Sequence, residues 1–173
     1  MILVTGGSFQ GKRKFAELLL VKSPRCTENG TAMGPDGGNM IWTDGAIATW
    51  ERFMDSPYCY NLHLFIRRVL NGEAGPACQA GAAGPAGPGG PKWPGGCLTA
   101  REDAQPELDA LPAAILSGPL DRILVTDEIG CGIVPADAFE RLYREETGRV
   151  CCRLAAEARQ VWRVTCGMGM RIK

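Results

Sequence analysis

Apolar residues along this chain occur in two arrangements, short continuous runs and longer stretches with helical spacing. Three short runs, Ile2–Thr5, Ile123–Thr126 and Val161–Thr165, are typical of strands that are buried on both faces, as in a parallel sheet. The stretches between them repeat apolar residues every three or four positions, which predicts helices that pack one face on a core. Strands that alternate with helices predict an α/β fold with a mostly parallel sheet flanked by helices.

Four stretches carry the helical spacing. Their apolar positions are Phe15, Leu18 and Leu19; Trp50 and Phe53; Tyr58, Leu62, Phe65, Ile66 and Val69; and Phe139, Leu142, Tyr143, Val150 and Leu154. The first helix is expected to end near Val21-Lys22 and the third at Asn71-Gly72. A fifth helix is predicted over Leu108–Leu116, although Pro112 favours a break, and Gly148 indicates a kink in the last helix or its division into two.

Two segments favour loops. Residues 25–40 contain a series of turn signals such as Asn29-Gly30 and Gly34-Pro35. Residues 72–96 are rich in glycine and proline and include a few triplets like those of collagen, too few for a triple helix. We therefore expect a single domain over residues 1–173 that carries a disordered, flexible insertion at 72–96.

Charge and hydropathy narrow the choice of partners. The formal net charge is zero and no basic run stands out, which disfavours nucleic acid or an anionic membrane as the main partner. No apolar stretch is long enough for a membrane span, and the N-terminus has no signal-peptide pattern. A cytoplasmic location is expected, and both a monomer and a homo-oligomer remain open.

The eight cysteines do not indicate a metal centre. None of them forms a C-x-x-C pair, and His63 is the only histidine that could join them as a ligand. Several of the cysteines lie within predicted helices or strands. We expect reduced thiols that pack as small apolar side chains.

The first strand runs into a glycine-rich turn. Gly6, Gly11 and Lys12 follow the spacing G-x-x-x-x-G-K, and a predicted helix comes next, which is the arrangement of a phosphate-binding P-loop. A phosphate chain needs many inward-pointing N–H groups, which a tightly wound glycine loop and a helix N-terminus provide. Lys12 would add a mobile, surface-facing cation for the outer phosphates. The predicted nucleotide-binding residues are Gly6, Gly7, Ser8, Phe9, Gln10, Gly11, Lys12 and Arg13.

One position departs from the P-loop motif. A serine or threonine usually follows the lysine and places a hydroxyl on Mg²⁺, whereas this chain has Arg13. The same spacing also occurs in ordinary glycine-rich turns. The strand before the loop and the helix after it favour a phosphate loop that binds a nucleoside triphosphate with Mg²⁺.

A pair of acidic residues follows the second strand. Asp127 and Glu128 come directly after Ile123–Thr126, at the edge of a parallel sheet where the phosphate loop also lies. Carboxylates in this position hold Mg²⁺ or act as a general base in P-loop enzymes. An Asp-Glu pair can equally cap a turn before a helix, and the sequence leaves both interpretations open.

Two stretches resemble one enzyme family. The first is the opening ILVTGG-x-x-x-GK-x-x-FAE. The second is the closing LVTDEIG-x-GIVP, which is followed by GRV, RLAA, VWRV and G-x-G. Both are similar to the bifunctional adenosylcobinamide kinase and adenosylcobinamide-phosphate guanylyltransferase family. The resemblance implies a P-loop fold similar to RecA. It also implies phosphorylation of the aminopropanol hydroxyl of adenosylcobinamide with ATP or GTP, and then transfer of GMP through a covalent guanylyl-histidine. Glu128 matches the acidic residue of the family's N-E-V-G-type motif, and Asp127 replaces its asparagine.

Other parts of the family pattern are missing. The family's second strand, and the helix that carries its nucleophilic histidine, have no counterpart in residues 25–45, and the segment 56–59 replaces a strand that ends in an acidic residue. His63 is therefore the only candidate for a guanylyl acceptor. It is also expected to share a helix face with Arg67, away from the apolar stripe, which is typical of an ordinary surface or boundary histidine.

The sequence supports two classes of function. As a kinase, the chain would use Lys12, the loop amides, Mg²⁺ and a carboxylate from Asp127 or Glu128 to position phosphates and neutralise their charge. As a binding protein without catalysis, it would keep the nucleotide-binding fold in a regulatory or assembly role, which Arg13 and the missing histidine favour. A small P-loop ATPase of another kind is disfavoured by the closing motif.

Overall fold

The computed structural model describes residues 1–21, 41–76 and 99–173, which are called the described residues. Their helices and strands, in chain order, are β1 (Ile2–Thr5), α1 (Lys12–Val21), β2 (Thr43–Asp44), α2 (Trp50–Asp55), β3 (Tyr58–Tyr60), α3 (Leu62–Leu70), α4 (Thr99–Leu116), β4 (Ile123–Val125), α5 (Ala138–Glu157), β5 (Gln160–Thr165) and β6 (Met168–Arg171).

The strands of these residues form one sheet in the order β2-β3-β4-β1-β5-β6. Neighbours from β2 to β5 pair in parallel, and β6 runs antiparallel to β5. Leu3 of β1 lies opposite Leu124 of β4 on one side and Val161 of β5 on the other. The predicted α/β fold with a mostly parallel sheet flanked by helices is confirmed. Because parallel strands end at the same edge, the loops that follow β1, β3 and β4 lie beside one another.

Alternate residues of β1 contribute to two apolar clusters. Leu3 belongs to the larger cluster, which contains buried residues of helices α2 to α5. Val4 belongs to the smaller cluster, together with Ala16 of α1. In the larger cluster the rings of Phe53 and Phe65 stack with their centroids 4.0 Å apart. Burial of both kinds of position explains why β1 is a continuous apolar run rather than an alternating one.

A fully buried arginine joins two helix ends to the sheet. The guanidinium of Arg122, just before β4, donates to the carbonyl oxygens of Phe53 at 2.6 Å, Ser56 at 3.0 Å and Ile115 at 2.7 Å, and also to that of Met54. These carbonyls lie at the C-terminal ends of α2 and α4, where helices leave acceptors without intrahelical partners. No sequence pattern predicted this role.

Tyr58 lies in a strand, so the prediction that it belongs to the helix after it was wrong. Strand β3 has three residues and is followed by Asn61, whose left-handed φ of 56° separates the strand from α3. Tyr58 precedes Leu62 by four positions, and this spacing imitates a helical repeat.

Strands β2 and β6 were not predicted either. β2 has two residues, too few to produce an alternating pattern. β6 contains Gly169, a residue type that is depleted in strands. The glycine is required by packing, since a Cβ at this position would lie 1.9 Å from the ring of Phe15.

Helices α4 and α5 are more continuous than predicted. α4 runs through Pro112 and α5 runs through Gly148, each as one helix. Leu108 and Ile115 of α4 are buried, and this packing outweighs the backbone hydrogen bond that Pro112 cannot make. In α1, Leu18 was expected on the buried side, but it is 48% exposed.

Some predictions fall outside the described ranges. The loop predicted at 25–40 and most of the insertion predicted at 72–96 lie there. Residues 72–76 are described and form turns, and Ala74 is buried in the larger core cluster. Within the described residues, no helix is both long and apolar enough to cross a membrane.

Candidate functional site at the carboxyl edge of the sheet

The loop between β1 and α1 is tightly wound and depends on glycine. A Cβ on Gly6 would lie 2.3 Å from the carbonyl oxygen of Val164, and φ at Gly6 is 150°. Gly11 has φ 76°, a left-handed conformation that glycine adopts without strain. Helix α1 begins at the next residue, Lys12. The two features that a phosphate loop needs, tight winding and an adjoining helix N-terminus, are therefore both present.

Gln10 fixes this loop to the turn between β5 and β6. Its backbone carbonyl accepts a hydrogen bond from the N–H of Gly167 at 2.9 Å, and its side-chain oxygen accepts one from the N–H of Cys166 at 2.6 Å. Phe9, the residue before it, has φ 58° and a fully exposed side chain. One side of the loop is thus held against the sheet, while the Phe9 ring extends into solvent.

Lys12 is buried, and the expectation that it faces the surface was wrong. Its side chain is 6% exposed. The ammonium donates to the carbonyl oxygen of Gly7 at 2.6 Å and lies 2.7 Å from Oδ1 of Asp127. The first turn of α1 starts beside the end of β4, so the lysine reaches the carboxylate across the loop instead of extending outward.

Asp127 connects the loop to the end of β4. In addition to its contact with Lys12, its Oδ2 accepts a hydrogen bond from the hydroxyl of Ser8 at 2.7 Å. Burial raises the pKa of Asp127, but the hydrogen bonds from Lys12 and Ser8 and the charge of Lys12 outweigh this and lower it below its ordinary value. The carboxylate is therefore ionised at neutral pH.

His63 lies in the first turn of α3 and is 8% exposed, so the expectation of a surface or boundary histidine was wrong. Its Nδ1 accepts a hydrogen bond from the backbone N–H of Asp127 at 3.3 Å. Burial is the main cause that lowers the pKa of His63, and Lys12 adds to it, while Asp127 and Asp44 act in the opposite direction. The ring is therefore neutral near pH 7, with its proton on Nε2.

The two predicted carboxylates have different partners. The backbone N–H of Glu128 donates to the carbonyl oxygen of Gly6 at 3.0 Å, which places the residue beside the loop. Its side chain, however, accepts a hydrogen bond from Arg163 of β5 at 2.8 Å. Asp127 is therefore the carboxylate in contact with Lys12, and Glu128 is the one in contact with Arg163.

Arg13 lies over two aromatic rings, one just before β2 and one in β3. Its guanidinium carbon lies 5.6 Å from the ring centroid of Trp42 and 5.1 Å from that of Tyr60. Its Nε also lies 3.3 Å from a carboxylate oxygen of Glu17, one turn further along α1. These contacts direct the side chain toward the end of β3, so Arg13 does not occupy the place of the hydroxyl that usually follows the P-loop lysine.

A third carboxylate lies at the same edge of the sheet, at the end of β2. Asp44 accepts hydrogen bonds from the hydroxyl of Tyr60 at 2.8 Å, the side-chain amide of Asn61 at 2.9 Å and the N–H of Ala46 at 2.9 Å. Sequence reasoning missed this group because β2 is so short. The available sequence signal was the Asp44-Gly45 turn. The structure needs glycine there, because a Cβ on Gly45 would lie 2.5 Å from the carbonyl oxygen of Asn61.

Comparison with known proteins identifies the family. Residues 87–172 match the family model for cobinamide kinase / cobinamide phosphate guanyltransferase. The chain is 31% identical over 182 aligned positions to the bifunctional adenosylcobalamin biosynthesis protein CobU of Salmonella typhimurium, and the alignment covers 100% of this chain and 99% of that protein. The chain belongs to the cobinamide kinase / cobinamide phosphate guanyltransferase family.

A second relative within this family matches a shorter stretch. The protein of the same name from Escherichia coli is 45% identical over 67 residues, which is 39% of this chain and 37% of that protein. The resemblance inferred from the opening and closing motifs is thus confirmed. The chain is therefore a member of a family of kinases and guanyltransferases.

The donors at the loop suit Mg²⁺ bound together with a nucleotide. Among the described residues, no group of three or more His, Cys, Asp and Glu side chains could hold a metal ion by itself. Mg²⁺ in kinases is usually held by one or two carboxylates together with phosphate oxygens, rather than by a cage of protein ligands. The carboxylate of Asp127 and the hydroxyl of Ser8, 2.7 Å apart, are hard oxygen donors of the required kind. The guanidinium of Arg13 is not.

Proposed function

We propose that this chain phosphorylates adenosylcobinamide with ATP or GTP as a step of cobalamin biosynthesis. The observation that supports the proposal is the group formed by Lys12, Ser8 and Asp127 at the phosphate loop, in a chain of the cobinamide kinase family. Phosphoryl transfer breaks the bond between the γ-phosphorus and its bridging oxygen and forms one to the substrate hydroxyl. Its catalysis consists mainly of positioning and of neutralising charge.

In this proposal the loop holds the phosphates and Lys12 contacts the outer ones. The N–H groups of Gly6 to Lys12 and the N-terminus of α1 supply donors and a partial positive charge. The ammonium of Lys12 already lies within this loop, where it donates to Gly7. To bind a phosphate, it would only have to replace its contact with Asp127 by one with a phosphate oxygen. Burial strengthens this charge contact, because little water surrounds it.

The carboxylates would divide their work according to their contacts. Asp127, beside Lys12 and Ser8, would hold Mg²⁺, which would neutralise charge on the β- and γ-phosphates. Glu128 would accept the proton of the substrate hydroxyl or contribute a further metal ligand. Its pairing with Arg163 would first have to open, so we assign Asp127 the larger role.

Guanylyl transfer is the less supported of the two family activities. His63, as the only histidine in the chain, is the only imidazole available to carry GMP. In its favour, the ring is neutral near pH 7 and contacts Asp127 next to the loop. Against it, the ring is buried and its Nδ1 is occupied by the backbone N–H of Asp127.

A non-catalytic nucleotide-binding protein is the alternative from another functional class. The placement of Arg13 over Trp42 and Tyr60 favours it, because the usual Mg²⁺-binding hydroxyl is missing at that position. In this alternative the loop would still bind nucleotide, but no phosphoryl group would reach the corrinoid.

One experiment separates these functions. The purified protein is incubated with adenosylcobinamide, Mg²⁺ and either ATP or GTP, and the corrinoid is analysed by mass spectrometry for a gain of one phosphate. Nucleotide binding is measured in parallel by calorimetry. We expect a phosphorylated product with at least one of the nucleotides. Binding without product would support the non-catalytic alternative, and the absence of binding would contradict both.

A further inference from the structure

The backbone N–H groups of the residues after β4 donate alternately toward the two neighbours of β4 in the sheet, as they would in a strand. The N–H of Thr126 donates to the carbonyl oxygen of Val4 at 3.0 Å, and that of Glu128 donates to Gly6, also at 3.0 Å. Both acceptors lie on β1 or the loop after it. The N–H of Asp127, between them, donates to the opposite side, where β3 and α3 lie.

Strand β3 has no carbonyl directed at this N–H. At the start of the pairing, the N–H of Ile123 donates to the carbonyl oxygen of Pro57 at 2.7 Å. In a parallel pair this bond repeats every two residues along both strands, so four residues further on the N–H of residue 127 would donate to the carbonyl oxygen of Asn61. Asn61 instead has a left-handed φ of 56° and begins α3. Its carbonyl oxygen accepts from the N–H groups of Leu64 and Phe65, at 3.0 and 3.1 Å.

The side chain of His63 takes the place of the missing strand carbonyl. Its Nδ1 lies 3.3 Å from the nitrogen of Asp127 and accepts the hydrogen bond. The imidazole is 8% exposed, so little water is available to replace it as a partner. A buried backbone N–H without a partner is costly, and a histidine accepts such a bond only through an unprotonated ring nitrogen.

We propose that His63 is a positioning residue, which extends the β3–β4 pairing by one hydrogen bond and thereby holds the carboxylate of Asp127 against Lys12 and Ser8. The role requires an acceptor at the Nδ1 position and does not require a nucleophile. The inference rests on the proposed kinase function only for its activity readout.

The imidazole of wild-type protein can be observed directly. The chain has a single histidine, so the ¹⁵N signals of its ring need no assignment. A long-range ¹H–¹⁵N spectrum at pH 7.5, chosen as about one unit above the ordinary histidine pKa, should show an unprotonated Nδ1 and a proton on Nε2. A ring with its proton on Nδ1, or a doubly protonated ring, would overturn the proposal without any variant being made.

Two variants test the role of the acceptor. His63→Asn keeps an acceptor close to the Nδ1 position, and His63→Leu removes it while filling a similar volume. We expect His63→Leu to lower kcat for phosphorylation about tenfold, the effect of losing one hydrogen bond of about 1.4 kcal/mol, while KM for the corrinoid stays within about twofold. His63→Asn should recover most of the loss. Amide exchange at Asp127 should be slow in the wild type and in His63→Asn, and fast in His63→Leu.

Each outcome decides between roles. The proposal is overturned if His63→Leu has the same activity and the same amide exchange at Asp127 as the wild type. It is also overturned if His63→Asn is as impaired as His63→Leu. If His63→Leu does not fold, the ring spectrum of the wild type and the activity of His63→Asn still decide. If the wild type has no kinase activity, the proposed function fails, but the spectrum, the exchange rates and nucleotide affinity continue to test the positioning role.

Discussion

The ammonium of Lys12 lies 2.7 Å from Oδ1 of Asp127, and both side chains are largely withdrawn from solvent at the loop between β1 and α1. The carboxylate therefore fixes the position of the lysine. In the proposed function, a phosphate chain that enters the loop would compete with Asp127 for this cation. Because the pair is buried, removal of one partner should affect both nucleotide binding and the stability of the fold.

Lys12→Ala should lower the affinity for ATP or GTP about tenfold to a hundredfold, because a charge-assisted contact contributes about 1.5–3 kcal/mol. The variant should also be less stable than the wild type, since Asp127 keeps its burial but loses its cation. Calorimetry and urea denaturation measure the two effects. Lys14→Ala is the matched control, because Lys14 is exposed on the same helix and should change neither quantity appreciably. Wild-type affinity in Lys12→Ala would contradict the assignment of the phosphate loop.

Asp44 predicts a pH dependence of stability. Burial raises its pKa, but the hydrogen bonds from Ala46, Asn61 and Tyr60 and the charge of Arg13 lower it below its ordinary value. A group with a lowered folded-state pKa stabilises the protein above its unfolded-state pKa, near 3.9, and this contribution is lost as the pH falls through the folded-state pKa. The wild type should therefore exceed Asp44→Asn in free energy of unfolding at pH 6, and the difference should shrink below about pH 4.

Urea denaturation of both proteins between pH 6 and pH 3, a range that spans the ordinary carboxyl pKa, measures this difference. Comparison with Asp44→Asn removes the contributions of other acidic groups, since they are common to both proteins. A difference that stays constant over the whole range would mean that Asp44 is not an ionised acceptor in the folded protein.

Arg122→Leu should destabilise the protein by about 3 kcal/mol or more, because four carbonyl oxygens at the ends of α2 and α4 lose their donor. Arg153→Leu is the control, since Arg153 pairs with Asp109 where both side chains are 53% exposed. Exposed pairs of this kind contribute about 0–1 kcal/mol. Equal effects of the two substitutions on the urea midpoint would show that Arg122 is not a structural junction.

The positions of Lys12 and Asp127 illustrate what the sequence could predict. Each follows a buried strand, and parallel strands end at one edge of a sheet, so strand pattern and glycine spacing together were enough to bring the loop and the carboxylate close together. The pattern could not predict that Lys12 is buried. That property depends on the distance between α1 and β4, which no local spacing encodes.

The ends of β2 and β3 were missed for a related reason. Two- and three-residue strands are too short to show a period. They are defined by their pairing, of β2 with β3 and of β3 with β4, rather than by their own residues. Asp44 and the contact of His63 with Asp127 were therefore missed together. Arg122 was missed because its partners are backbone carbonyls from two separate segments, the ends of α2 and α4, and such contacts have no sequence signature.

Two glycines should respond in opposite ways to alanine. Gly148 lies exposed within α5, and a Cβ there would meet nothing within 4 Å, so Gly148→Ala should stabilise the protein by about 0.5–1 kcal/mol. Gly6→Ala should destabilise it and weaken nucleotide binding, because its Cβ would lie 2.3 Å from the carbonyl oxygen of Val164. Thermal denaturation with and without ATP compares the two. An unstrained Gly6→Ala protein would contradict the close contact between the loop and β5.

Covalent guanylylation distinguishes a kinase from a bifunctional enzyme. Attack by an imidazole nitrogen on the α-phosphorus of GTP would form a P–N bond and release pyrophosphate, and the product would be labile in acid and stable in alkali. We expect no such product here, because Nδ1 of His63 is engaged by Asp127 and the ring is buried.

The protein is incubated with GTP labelled at the α-phosphate, denatured and separated by electrophoresis, with His63→Ala treated in the same way. A label on the wild type that disappears in His63→Ala would restore the bifunctional activity. A label that persists in the variant would require a different nucleophile, since the chain has no second histidine.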